Sequence, residues 1–161
     1  MASIKATGRA RRDLSNARKS QTCRWVDANA TLARHNMYRA RHQAPPLTWS
    51  TPLQKAAQDW ADNCWFEHSP FPYGENIGMG HPSFTVVIDA WYVPVECCSV
   101  GIPGQTFNAG HFTQLVWLDT TLLGCAIGVC PGGVYYTGGV WLGKLYVCEY
   151  SIAGERAGRA D

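Results

Sequence analysis

The chain predicts an α+β domain built in layers, and three observations predict it. Apolar residues recur at helical spacing in three segments of the first half. The second half reads as extended runs between glycine-rich turns, and several cysteines lie inside those patterned runs. A length of 161 residues suits one domain with a substantial core.

Residues 25–42 form the first expected helix, with Val26, Leu32, His35 or Asn36, and Arg39 recurring on one face. Gln43-Ala44-Pro45-Pro46 ends it, and Leu47 and Trp49 then enter the core. Ser50 or Thr51 before Pro52 reads as an N-cap followed by a first-turn proline. The helix that follows, about 53–64, puts Leu53, Ala56, Ala57, Trp60, Ala61 and Cys64 on one face. Residues 67–82 are rich in Pro and Gly and are expected to form a loop.

A third helix over 83–92 buries Phe84, Val87, Ile88 and Trp91, and Pro94 ends or kinks it. After a loop over 99–109, residues 110–117 read as a strand. Alternation then sets His111, Thr113, Leu115 and Trp117 on one face and Phe112, Gln114 and Val116 on the other. Further strands are expected over 122–129 and 140–150, with turns at Pro131-Gly132-Gly133 and Gly138-Gly139. No internal repeat is present.

Charge is unevenly spread. Residues 1–24 carry seven Lys or Arg against one acid, Asp13, while the remainder holds seven bases and eleven acids. The head reads as a disordered basic tail, tag or pro-segment, and residues 25–161 as the single folded domain. The body lacks a basic patch with interleaved aromatics, which argues against nucleic-acid recognition. No apolar run approaches the ~20 residues that span a bilayer. Residues 1–19 lack the apolar centre of a signal peptide, so an exported protein has its leader outside this sequence. Asn29-Ala30-Thr31 is either a glycosylation sequon or a helix N-terminus.

Seven cysteines is a high count, and their spacing does not match a structural zinc site. Disulfides in an oxidising compartment explain them better. The odd number leaves at least one free thiol or an intermolecular bridge. A monomer is expected in the main, with a dimer open through Cys23, Cys97 or Cys98.

Six segments appear in a distinctive order. They are His35-Asn36-Met37-Tyr38-Arg39; Pro46-Leu47-Thr48-Trp49; His68-Ser69 with Tyr73-Gly74-Glu75-Asn76-Ile77; Gly110 to Trp117; Gly124-Cys125-Ala126; and Tyr146-Val147-Cys148-Glu149-Tyr150. Together they resemble the CAP superfamily, the cysteine-rich secretory and pathogenesis-related class 1 proteins, and are most similar to its secreted fungal members. The resemblance covers about residues 25–155. It implies a three-layer α-β-α sandwich around a central antiparallel sheet, secretion to the extracellular space, and disulfides Cys64–Cys130 and Cys125–Cys148.

The resemblance also implies a cleft faced by two histidines and two glutamates. By motif match the histidines are His68 and His111, and the first glutamate is Glu75. Two neutral imidazoles suit zinc or another divalent cation, and a carboxylate beside them orients a ring or a water. The family places its second glutamate three residues after a helical tryptophan. Here that tryptophan is Trp91 and the position is Pro94, with Glu96 two residues beyond. His42 and His81 lack a match to the pattern and read as surface groups.

A second departure concerns lipid. Sterol-binding fungal relatives carry two tyrosines and a phenylalanine around a Pro-Gly in the loop before the second histidine. The corresponding stretch here is Cys98, Val100, Ile102, Pro103 and Gln105, with Cys98 and Val100 at the tyrosine positions and Gln105 at the phenylalanine position. Each lost ring forfeits ~1.5–3 kcal/mol of burial, so sterol binding is expected to be weak. The resemblance therefore implies a protein similar to fungal carriers of sterol or fatty acid, with a degraded sterol loop and a role in host contact. The alternative is an extracellular interaction module with a vestigial metal site. A metal-dependent hydrolase is the least favoured reading, and no catalytic residue is assigned.

Overall fold

The computed structural model describes residues 26–92 and 107–152. The basic head, Pro94, Glu96, and the loop positions Cys98, Val100, Ile102, Pro103 and Gln105 fall outside the described residues, as do Cys23 and Cys97.

Helix α1 spans Ala28–Arg41 and is capped by Asp27, whose carboxylate accepts the Ala30 N–H at 2.9 Å. Strand β1 is the short Thr48–Trp49. Helix α2, Thr51–Ala61, starts on a Ser50 cap with proline in its first turn. Strand β2 is Gly74–Met79, and helix α3 is Phe84–Trp91 with Ser83 as its cap. Helix α4 runs Phe107–Leu115. Strands β3, Leu122–Tyr136, and β4, Gly139–Ser151, form a long hairpin.

The four strands are ordered β1-β3-β4-β2. β3 pairs antiparallel with β4 and β4 with β2, but β1 runs parallel to β3, so the sheet is mixed rather than antiparallel. Alternation along the hairpin divides the core in two. Leu123, Cys125, Ile127, Tyr146, Cys148 and Tyr150 face Tyr38 of α1, Val87, Ile88 and Trp91 of α3, and Leu115 of α4. Ala126, Cys130, Val134, Leu145 and Val147 face Ala57 and Ala61 of α2. The result is an α-β-α sandwich. Helix α2 approaches so closely that a Cβ on Gly124 or Gly128 would strike its backbone at Gln54 or Ala61.

Two disulfides brace this arrangement, one within the sheet and one between the helical layer and the sheet. Cys125 and Cys148 are register partners across β3 and β4, and Cys64–Cys130 ties the segment after α2 to β3. Bridges of this kind stabilise a fold by ~2–4 kcal/mol each.

Three local expectations need correction. The stretch beginning at Gly110 is helical, not a strand: its alternating pattern also satisfies i, i+4, and Leu115 is fully buried four residues after His111. Residues 74–79 are a strand within the expected loop, because β4 supplies the pairing and Gly78 admits Val87 against the backbone. Pro131-Gly132-Gly133 is not a turn. β3 passes through it with an irregularity between Cys130 and Val134, where a proline costs little ladder pairing.

Candidate functional site

Strand β2 carries Glu75 toward the face covered by α2 and Asn76 toward the opposite core. The Glu75 side chain is only 4% exposed. Its Oε1 lies 2.6 Å from Nδ1 of His68, and the Ser69 N–H reaches both carboxylate oxygens at 3.2 Å. With Glu75 as acceptor, His68 donates through Nδ1, leaving the Nε2 lone pair on the far side of the ring.

Helix α4 brings His111 to the same place. Its backbone carbonyl accepts from Asn76 Nδ2 at 3.1 Å, and its ring lies 6.1 Å from that of Trp91. Trp91 is buried and donates Nε1–H to the Ile77 carbonyl at 3.1 Å. Burial, and secondarily the proximity of His68, hold the His111 imidazole below its ordinary pKa and favour the neutral ring.

His68, Glu75 and His111 line one cavity of about 550 Å³ together with Phe66, Ile77 and Gln114. Gln114 reaches across to Gly74, where its amide fills the space a β-carbon would need. Tyr150 completes the scaffold beneath. Its hydroxyl pairs with Nε2 of the fully buried His35 and accepts from Asn76.

The end of α4 is held from a distance. Arg39 is fully buried and donates to the carbonyls of Pro45, Leu115, Trp117 and Thr120 at 2.7–3.0 Å. A cation at a helix C-terminus also suits the helix dipole. His42 is exposed and bonds the Tyr92 hydroxyl at 3.0 Å. His81 is half-buried, and its carbonyl accepts from Tyr146.

Sequence reasoning missed Glu149. It stands directly across β4 from Glu75, fully buried, with Oε1 accepting from Ser69 Oγ at 3.3 Å. Burial first, and then Glu75, hold its carboxyl well above the usual carboxylate range. The available signal was its position in Val147-Cys148-Glu149-Tyr150, an acid inside an otherwise apolar strand.

As a metal site the cavity offers two imidazoles. Among the described residues, the His, Cys, Asp and Glu donors that converge in threes within 4.8 Å are His35, Cys125 and Cys148. That trio carries no thiolate, because its two sulfurs are bonded to each other. His68 and His111 line the same cavity but, among the described residues, do not belong to such a trio of converging donors.

The fold and this cleft define a recognisable class of protein module. The model of the cysteine-rich secretory protein family matches residues 32–150, and the chain belongs to that family. It is 40% identical over 129 residues to Protein PRY2 of Saccharomyces cerevisiae, covering 77% of this chain and 36% of that protein. It is 36% identical over 141 residues to Secreted protein RBT4 of Candida albicans, covering 81% of this chain and 36% of the relative. The chain thus spans about a third of the length of these two relatives. Among solved structures it is similar to NaASP2 with Zn2+, with 25% identity, a TM-score of 0.57 and 82% of each chain covered.

Proposed function

We propose that this chain is an extracellular carrier of a small hydrophobic ligand, a fatty acid or sterol, held in the cavity between β2 and α4. The observation that carries the reading is the make-up of that cavity. Phe66 and Ile77 offer apolar surface, while His68, Glu75, His111 and Gln114 supply hydrogen-bonding groups. Such a wall suits a molecule with an apolar body and a single polar head. Its volume of about 550 Å³ falls within the ~300–1,000 Å³ usual for small-molecule sites.

Two disulfides and the relative named as secreted support an extracellular location. Among the described residues no helix is long and apolar enough to cross a membrane. Sterol affinity is expected to be low, because the ring positions of the sterol loop are occupied by Cys98, Val100 and Gln105. Zinc or a similar ion is an accessory ligand in this reading, held by His68 and His111; the zinc-containing structure of NaASP2 supports it. Hydrolysis is the lesser reading, since two imidazoles fall short of the three protein ligands common in catalytic zinc sites.

The test is native mass spectrometry with extraction of co-purified lipid, followed by titration with radiolabelled fatty acid and cholesterol. Gly110 lines the cavity, and a side chain there meets nothing within 4 Å, so Gly110→Leu should fill the space without disturbing the fold. Fatty-acid binding that weakens at least tenfold in this variant supports the carrier reading. An empty extract with no saturable binding overturns it, and saturable submicromolar cholesterol binding overturns the expectation of weak sterol affinity.

A further inference from the structure

Two acids occupy one cross-strand position in this sheet. Glu75 and Glu149 are direct partners in the antiparallel register of β2 and β4. They point to the face covered by α2, where Ile77, Leu145 and Val147 are packed. Like charges placed opposite each other in a sheet repel. Here the repulsion is undiluted by water, since Glu149 is 0% exposed and the Glu75 side chain 4%.

The hydrogen bonds around the pair are fully assigned. The Ser69 N–H and His68 Nδ1 go to Glu75, and the Ser69 hydroxyl goes to Glu149 Oε1. Glu149 Oε2 is buried with no protein donor. Among the described residues no Lys or Arg forms an ion pair with either acid. A buried oxygen in that position is satisfied if it carries a hydrogen of its own, directed at the neighbouring carboxylate.

We propose that Glu149 is a positioning residue that remains a neutral carboxylic acid and donates its hydrogen to Glu75, holding that carboxylate against His68. The pair then carries one charge, located on Glu75. A closed ring of contacts results: Ser69 grips both acids, Glu149 braces Glu75, and Glu75 selects the tautomer of His68 with hydrogen on Nδ1. The consequence is an Nε2 lone pair left open on the far side of a ring that lines the cavity and is 68% exposed. The depressed acidity that burial imposes on Glu149 agrees with this arrangement. The value of the arrangement to function rests on the cavity being a ligand site, but the arrangement itself does not.

The experiment compares the unsubstituted chain with Glu149→Gln and Glu149→Leu. Glutamine keeps a donor toward Glu75, and leucine removes it. Infrared difference spectra at neutral pH should show the carbonyl stretch of a protonated carboxylic acid that vanishes in Glu149→Gln. Nitrogen-15 shifts of the His68 ring at mildly alkaline pH should report the Nδ1–H tautomer in the unsubstituted chain and in Glu149→Gln, and a mixture of tautomers in Glu149→Leu. Absence of the carbonyl band, loss of the tautomer in Glu149→Gln, or its retention in Glu149→Leu each overturns the proposal. Should Glu149→Leu fail to fold, the carbonyl band and the Glu149→Gln rescue decide alone. Neither readout involves lipid, so a failed carrier assay leaves this result standing.

Discussion

The Tyr150 hydroxyl lies 2.9 Å from Nε2 of His35, and this contact joins the first helix to the floor of the cleft. His35 Nδ1 is 2.8 Å from the Thr31 carbonyl, so it carries the ring hydrogen and Nε2 is the acceptor. Tyr150 therefore donates to His35 and accepts from Asn76, which also donates to the His111 carbonyl. A chain of neutral hydrogen bonds thus runs from α1 to the backbone of a cleft histidine. Tyr150→Phe strips His35 of its donor and Asn76 of an acceptor. The expected loss is about 1–3 kcal/mol, read as a lower urea midpoint at unchanged slope.

Acid stability should expose two opposed titrations. Burial lowers His35 from 6.5 to about 4 in the folded protein. Below pH 6.5 the unfolded chain takes up a proton that the folded chain refuses, so stability present above that pH is lost toward pH 4. His111 and His81, also lowered by burial, act in the same direction. Glu149 is raised above 4.5, so its contribution is full below that pH and is lost as pH rises. Glu149→Gln should therefore gain stability between pH 4.5 and 6.5 more steeply than the unsubstituted chain, by up to about 1.4 kcal/mol per pH unit. Parallel urea-unfolding profiles would contradict the assignment.

Arg39 is a buried cation satisfied by carbonyls alone. Arg39→Met leaves four acceptors unpaired, an effect only partly offset by relief of a buried charge. The expected net loss is about 3–5 kcal/mol in chemical denaturation. Arg39→Lys should recover little of it, because a point charge cannot span four separated carbonyls as a guanidinium does.

The two cleft imidazoles should govern metal uptake. Isothermal titration with Zn2+ is expected to show affinity falling at least tenfold in His68→Ala and in His111→Ala. Loss in one variant only would indicate a single-histidine site, and unchanged affinity in both would remove these rings from any metal role.

Helices α1, α2 and α3 were legible because each announces itself locally. Ser50 and Pro52 mark the start of one, and apolar residues repeat at the right spacing in all three; the Asp27 and Ser83 caps emerged only with the structure. The region around His111 was not. Its alternation fits either periodicity, and what favours the helix includes a cap from Arg39, 76 residues upstream of Leu115. Strand β2 was equally hidden, since Gly74 and Gly78 look like loop residues until Gln114 and Val87 are seen to occupy the space they leave.

By itself the sequence determined the family, the layered α+β class and the motifs bearing His68, Glu75 and His111. Those follow from short-range patterns that survive without coordinates. Only the tertiary structure decided that Glu149 faces Glu75, and that Ser69 binds both. The physical reason is that register between strands far apart in the chain sets which charges meet, and burial then sets which of them keeps its proton.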